Sequence, residues 1–156
     1  MLEFDVPGLK MFQLSNLFLD YNGTIAYKGE MISGIFEILA ELSKKLKIYI
    51  ITADTFGKVM NYKEQLNAEI HILPPYNQVK LKAEFVEILG PDATVSIGNG
   101  SNDAKMLKVS SLGIAVIGKE GASNKALQNA DIICNSIEDA LTMLLNPELI
   151  VATLRE

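Results

Sequence analysis

The sequence has only one cysteine, only one histidine and no long apolar run, and this composition excludes several classes of protein. Cys134 alone cannot form an internal disulfide. No apolar stretch approaches the roughly 20 residues of a membrane span, and residues 1–10 lack the basic-then-apolar order of a secretory signal. Lys and Arg are scattered over a chain of net charge −5, so no basic stripe indicates nucleic-acid binding. We therefore expect a cytoplasmic protein that binds neither membranes nor nucleic acids.

The remaining pattern is that of one α/β domain. A length of 156 residues fits a single core, which we expect to span residues 1–156. Apolar β-type runs alternate with helix-like stretches, which predicts a three-layer Rossmannoid fold: a parallel sheet with helices on both faces. Strands are predicted at 17–19, 48–51, 70–73, 94–97, 112–117 and 131–133. Helices are predicted at 33–46, 56–67, 79–89, 102–109, 123–129 and 136–146. Residues 1–14 are expected to add a hairpin at the sheet edge.

An aspartate ends the first buried strand run, in the segment LFLDYNGT at residues 17–24. Ligands bind beyond the carboxyl ends of strands in open α/β sheets, so Asp20 would face a ligand, with the amides of the Asn22-Gly23-Thr24 turn beside it. A carboxylate in that place can act as a covalent nucleophile. Asp and Asn-Gly also close ordinary turns for conformational reasons, so the octapeptide alone leaves both interpretations open.

Three later segments add polar groups to the same edge. IYIITADT, residues 48–55, ends a strand at Thr52, whose hydroxyl can bond a phosphate oxygen, with Asp54 available to cap the next helix. Lys82, on the helix that opens near Val79, can reach back and neutralise phosphate charge. SIGNGSNDAKML, residues 96–107, runs from a strand through a glycine-rich turn into a helix.

In this order, the four segments resemble the motifs of the haloacid dehalogenase-like hydrolase superfamily, over about residues 14–145. The stretch 112–133 is similar to the one that follows the fourth motif in P-type ATPases, so the chain resembles a small, soluble, capless form of their phosphorylation domain. The resemblance implies a Mg²⁺-dependent phosphohydrolase with an aspartyl-phosphate intermediate. The roles it implies are Asp20 as nucleophile; Gly23, Thr52, Ala53 and Lys82 as phosphate ligands; and Asp20, the Asn22 carbonyl, Asn99 and Asp103 as metal ligands. Lys80 competes with Lys82 for the third motif.

Two asparagines depart from the superfamily pattern. Asn22 stands where phosphatases have the aspartate that protonates the leaving oxygen and activates water, work that contributes about 10²–10⁴ in rate. Asn99 stands where a metal-binding carboxylate is usual, so we expect weak Mg²⁺ binding that an Asn99→Asp change tightens, unless Asp103 takes over. Slow turnover with a stable aspartyl phosphate is one interpretation. A non-catalytic or regulatory phosphate-binding module is the other. Dehalogenation is disfavoured because the chain keeps the Asn-Asp pair at 102–103.

The intervals between motifs leave no room for a cap domain, so the site is expected to be open to water. A large substrate, a second copy of the chain or a partner protein would then cover it; the phosphorylated substrate itself is not specified by the residues. Other polar groups have plainer interpretations. His71 is expected to be structural. Residues 118–121 are predicted to be a turn with Ser123 as the helix N-cap, although Lys119 stays a weaker phosphate candidate. Cys134 is expected to pack as a small apolar side chain.

Overall fold

The computed structural model describes residues 1–156 and has a six-stranded parallel sheet at its centre. The strands of the chain are β1 (Leu2–Val6), β2 (Lys10–Leu14), β3 (Asn16–Leu19), β4 (Ala26–Tyr27), β5 (Glu30–Met31), β6 (Lys47–Thr52), β7 (Glu69–Ile72), β8 (Thr94–Gly98), β9 (Leu112–Val116) and β10 (Ile132–Cys134). The sheet has the order β10-β9-β8-β3-β6-β7. The predicted α/β fold with a parallel sheet is confirmed.

The helices cover both faces of this sheet. They are α1 (Ile35–Leu42), α2 (Lys63–Leu66), α3 (Gln78–Leu89), α4 (Ala104–Val109), α5 (Asn124–Asn129), α6 (Ile137–Leu145) and α7 (Pro147–Leu154). Strand β3 shows how the faces are divided, because successive side chains of a strand point to opposite sides. Leu17 and Leu19 belong to the cluster that includes α1 and α6, whereas Phe18 packs with Val86 of α3. None of the helices combines the length and the apolar character needed to span a membrane.

The predicted helix 56–67 is wrong in its first part. The chain stays irregular until a 3₁₀ turn at Val59–Tyr62, which leads into the short helix α2. Asp54, with a φ of 48°, and Gly57, with a φ of 66°, both have left-handed backbone conformations that interrupt a helix. The Asp54 Oδ1 atom accepts hydrogen bonds from the backbone N–H groups of Lys58 at 3.0 Å and Val59 at 3.1 Å, so it does cap the turn that follows.

Two small hairpins lie outside the large sheet. Strands β1 and β2 form a two-stranded antiparallel sheet; we expected this hairpin at the edge of the large sheet, but no strand pairing joins the two. Its apolar face instead adds Leu2, Val6 and Phe12 to the main core. Strands β4 and β5 form a second hairpin, which follows the Asp20 turn and was not predicted. Helix α7 was not predicted either.

Candidate active site

Strand β3 lies between β6 and β8, and the ends of these three strands bring the predicted motifs together. This is the point where the strand order reverses, and such points form ligand crevices in open α/β sheets. A cleft of about 210 Å³ opens there. Its lining residues are Asp20, Asn22, Thr52, Ala53, Thr55, Gln78, Asn99, Gly100, Asn102 and Glu120.

Asp20 is almost completely buried and bonded on both oxygens. Its Oδ1 atom accepts a hydrogen bond from the Lys82 ammonium at 2.6 Å, and its Oδ2 atom accepts one from the Thr24 hydroxyl at 3.2 Å. Burial and the nearby Asp103 carboxylate raise the pKa of Asp20 to about 6, against the opposing effect of Lys82. At neutral pH the carboxylate is therefore mostly ionised, which is the form in which a carboxylate can attack an electrophile.

Lys82 is fully buried and joins two carboxylates. The second is Asp103, whose Oδ1 atom lies 2.7 Å from the Lys82 Nζ atom. Burial alone would lower the pKa of this ammonium, but the charges of Asp103 and Asp20 outweigh it and raise the pKa above its ordinary value. Lys80 instead has an exposed side chain that pairs with Glu84. Of the two candidate lysines, only Lys82 reaches Asp20.

Asp103 lies behind the cleft and not in it. It is completely buried, and its Oδ2 atom accepts the backbone N–H groups of Asn99 at 3.1 Å and Gly100 at 2.9 Å. With Oδ1 bonded to Lys82, both oxygens hold neighbouring groups in place. Asp103 therefore holds the loop at 99–103 and positions Lys82. This geometry does not favour the expectation that Asp103 replaces Asn99 as a metal ligand.

Thr52 and Ala53 present hydrogen-bond donors at the end of β6. The Thr52 Oγ1 atom accepts a hydrogen bond from the Asp54 N–H at 2.9 Å, which leaves its own hydroxyl hydrogen free to donate. The backbone N–H groups of Ala53 and Asn22 donate to no acceptor in the protein. The Gly23 N–H, in contrast, donates to the Ala26 carbonyl at 2.8 Å, so this predicted phosphate ligand is already occupied.

The Asn22 side chain holds the hairpin beside the cleft. Its Oδ1 atom accepts a hydrogen bond from the Gly29 N–H at 2.9 Å, and the Tyr21 hydroxyl donates to the Gly29 carbonyl at 2.7 Å. The Asn22 backbone carbonyl accepts no hydrogen bond from any protein group. This oxygen is therefore free to bind a cation, as the sequence predicts.

The donor set fits a magnesium ion, on the chemistry of the side chains. The chain has no cluster of three or more His, Cys, Asp or Glu side chains placed to hold a metal. Mg²⁺ does not need one, because it is usually bound by one or two carboxylates, with water and substrate phosphate filling its other positions. Asp20, the Asn22 carbonyl and the Asn99 amide oxygen are the groups that would hold it.

Sequence reasoning missed six residues that line the cleft or bond to Asp20: Thr24, Thr55, Gln78, Gly100, Asn102 and Glu120. Thr24 and Asn102 lie inside quoted motifs, but their contacts depend on the fold, since the Asn102 amide donates to the Gln78 side chain at 2.8 Å. Glu120 lies in the segment 118–121, which has the predicted turn form with a Gly118–Gly121 bridge.

The Ser123 hydroxyl oxygen accepts the Ala126 N–H at 3.0 Å, which confirms the predicted N-cap. His71 packs against Tyr49 and Phe85, outside the cleft.

A family profile described as a haloacid dehalogenase-like hydrolase matches residues 76–141 of the chain. The matched range contains Lys82, Asn99 and Asp103 but begins after Asp20 and Thr52. The profile therefore covers the third and fourth segments. The first two segments lie outside it, and only the geometry of the cleft connects them with the other two.

Similar proteins extend this comparison. An uncharacterized protein of Methanocaldococcus jannaschii is 48% identical over 62 residues, which are 40% of this chain and 67% of that protein. A chloroplastic endoribonuclease of Arabidopsis thaliana is 27% identical over 122 residues, 68% of this chain, but the chain spans only 20% of its length. The structure of 3-deoxy-D-manno-octulosonate 8-phosphate phosphatase from Moraxella catarrhalis, solved with magnesium, phosphate and KDO, has a TM-score of 0.65. It is 16% identical to this chain, and the match covers 91% of this chain and 94% of that one.

Proposed function

The chain belongs to the haloacid dehalogenase-like hydrolases, and from this we propose that it is a divalent-cation-dependent phosphohydrolase with Asp20 as nucleophile. The observation that supports the proposal best is the convergence of Asp20, the Thr52 hydroxyl and the free Ala53 N–H on one small cleft. Lys82 adds a buried positive charge against the Asp20 carboxylate. The likeness of the fold to a phosphatase solved with magnesium and phosphate ions also supports the choice of cation.

The proposed reaction has two displacements at phosphorus. An Asp20 oxygen forms a bond to phosphorus while the bond to the leaving oxygen breaks, and the leaving alcohol takes its proton from water. Water then attacks phosphorus, the bond to Asp20 breaks, and inorganic phosphate leaves while a proton passes to solvent. Lys82, the Thr52 hydroxyl and the Ala53 N–H hold the phosphoryl oxygens through both steps. A bound cation would neutralise part of the phosphoryl charge.

The leaving group would occupy a second, wider cleft. This space of about 710 Å³ adjoins the first one and shares Glu120 with it. One wall is the β4–β5 hairpin and the other is formed by the ends of β9 and β10. Tyr27 lines the first wall, and the Lys119 ammonium lies 5.2 Å from the centre of its ring. The larger part of the substrate would contact these residues.

A Mg²⁺-dependent assay against a panel of phosphate esters tests the proposal. The panel should contain donors with small and large leaving groups, each tried with the native chain and with Asp20→Asn. We expect phosphate release that needs both the cation and Asp20. Release that is equal for the two chains would contradict the proposal. Binding of phosphate without any turnover would favour the regulatory binding module, for which the two asparagines are the specific evidence.

The Asn22→Asp variant should turn over faster. The added carboxylate keeps an oxygen to accept the Gly29 N–H and supplies a group that can give a proton to the leaving oxygen and take one from water. Such proton transfer is typically worth about 10²–10⁴ in rate, so we expect a rise of at least about tenfold in kcat. Steady-state phosphate release measures it.

A matched control is Asn61→Asp, which adds the same charge on an exposed part of the 3₁₀ turn. It should leave kcat unchanged. If Asn22→Asp behaves like this control while phosphate still binds, the chain lacks a competent site and the binding-module interpretation is favoured.

A further inference from the structure

A carboxylate outside the recognised motifs lies beside the position where Asn99 replaces an acid. Glu120 and Asn99 both line the Asp20 cleft. A Cβ atom built on Gly23 would lie 2.6 Å from the Glu120 Oε2 atom, 2.6 Å from the Asn99 Nδ2 atom and 2.7 Å from the Asn99 Oδ1 atom. The carboxylate and the amide therefore meet over one glycine of the Asp20 turn, and only a residue without a side chain leaves room for both.

Asn99 itself fixes the loop from which Glu120 projects. Its Nδ2 atom donates to the Gly121 carbonyl at 3.1 Å, and its own carbonyl accepts the Ser123 N–H at 2.8 Å. Because a carbonyl only accepts, the group that faces Gly121 must be the amide NH₂. An aspartate at position 99 could not make this bond. Asn99 therefore lacks a carboxylate but provides a hydrogen-bond donor, and this donor holds the Glu120 loop against the cleft.

The number of carboxylates in the cleft shows why Glu120 matters for cation binding. Asp20 is the one carboxylate of the predicted metal set that lines the cleft, because Asp103 is buried behind it with both oxygens bonded. Mg²⁺ sites usually use one or two carboxylates. We propose that Glu120 supplies the second carboxylate for the divalent cation, in place of the acid missing at position 99. This inference rests on the proposed function, since it assumes that a cation binds at Asp20.

Titration with Mn²⁺, followed by the EPR signal of the free ion, tests the inference without requiring activity. Mn²⁺ is a suitable probe because carboxylate and carbonyl sites that suit Mg²⁺ also suit Mn²⁺. We expect Glu120→Gln to weaken Mn²⁺ binding by about tenfold or more, by comparison with the 10–100-fold losses seen when supporting groups of metal sites are changed. Glu120 is exposed, so this variant should fold normally, and its thermal unfolding midpoint checks that.

Two further variants make the result specific. Glu138→Gln is the matched control: Glu138 lines the wider cleft but not the Asp20 cleft, so its loss should leave Mn²⁺ affinity unchanged. Asn99→Asp is the rescue: it should restore affinity in the Glu120→Gln background and improve it less in the native chain. This non-additivity is the sign of two groups that do the same work.

Three results would overturn the inference, and they are distinguishable. If Glu120→Gln binds Mn²⁺ like the native chain while Asp20→Asn does not, the cation site exists without Glu120 and the proposed function stands. If Glu120→Gln keeps its affinity but loses turnover, Glu120 acts in proton transfer. If the native chain binds no Mn²⁺, with or without inorganic phosphate, the metal dependence in the proposed function fails as well.

Discussion

Replacing Lys82 with methionine should destabilise the protein by about 3–5 kcal/mol at pH 7, the usual cost of removing one partner from a buried ion pair. The methionine is similar in length and fills the same space, so the loss comes from charge and not from a cavity. It leaves Asp20 and Asp103 buried with no cation between them. Urea unfolding of the two proteins at pH 7 measures the difference in the free energy of unfolding.

The pH dependence separates this cause from a packing defect. Lys82 opposes the rise in the pKa of Asp20, so without it this pKa rises further above that of the unfolded chain, beyond its present value of about 6. An acid whose folded-state pKa is raised binds protons more tightly when folded, so stability is gained as the pH falls through that pKa. The deficit of Lys82→Met should therefore shrink between pH 7 and pH 5. A packing defect would persist over this range.

Lys80→Met provides the matched control on the same helix. The Lys80 side chain is 70% exposed and pairs only with the partly exposed Glu84. Its loss should change the free energy of unfolding by no more than about 0.5 kcal/mol, as is usual at the surface. Equal effects of the two substitutions would mean that Lys82 is not part of a buried charge cluster.

Replacing Asp20 with asparagine should abolish a covalent phosphoryl adduct. In the native chain Asn22 cannot activate water, so the aspartyl phosphate should form faster than it is hydrolysed and should accumulate. We expect incubation with acetyl phosphate and Mg²⁺ to add phosphate to the native chain, as measured by intact mass. The adduct should be stable to acid and removed by hydroxylamine, as an acyl phosphate is. Turnover should fall by several orders of magnitude in the variant.

Asp92→Asn controls for adventitious labelling. Asp92 is an exposed aspartate in the 3₁₀ turn Pro91–Ala93 that precedes β8, on the opposite end of the strand from the cleft, and its loss should leave the adduct intact. Labelling of Asp20→Asn to the native level would remove Asp20 from the chemistry. Absence of an adduct with every donor, despite Mg²⁺-dependent turnover, would indicate direct attack by water.

The fold and the outline of the site were predictable because parallel strands end at one edge of a sheet. Asp20, Thr52 and Asn99 each follow a buried strand run. They come together if their three strands are neighbours in the sheet, and the resemblance of the four motifs to the superfamily pattern indicated that arrangement. Lys82 could be chosen over Lys80 by its spacing to Phe85 and Val86. The buried Val86 does lie with Phe18 under the sheet, and this packing turns Lys82 toward Asp20.

Features were missed where local sequence does not determine contacts. The β4–β5 hairpin has strands of two residues each, too short for an alternation pattern, although Lys28 and Gly29 have the positive φ values of a tight hairpin turn. Nothing in the Asp103 motif reveals that two backbone N–H groups occupy one of its oxygens, so its contacts with the loop at 99–103 were not predicted; its role as a metal ligand stays a prediction. Glu120 was read as part of a turn, and only the packing of that turn on Gly23 places it at the cleft.

The buried group formed by Asp20, Lys82 and Asp103 has a consequence for the energetics of ligand entry. With all three ionised it has a net charge of one negative unit, and Glu120 adds another at the rim. A phosphate dianion entering this cleft alone is repelled, whereas a dication is attracted. Any cation that binds there therefore helps phosphate to bind, and by thermodynamic reciprocity phosphate tightens the cation by the same factor. The affinity for phosphate therefore depends on whether the cation is bound, and the affinity for the cation depends on whether phosphate is bound.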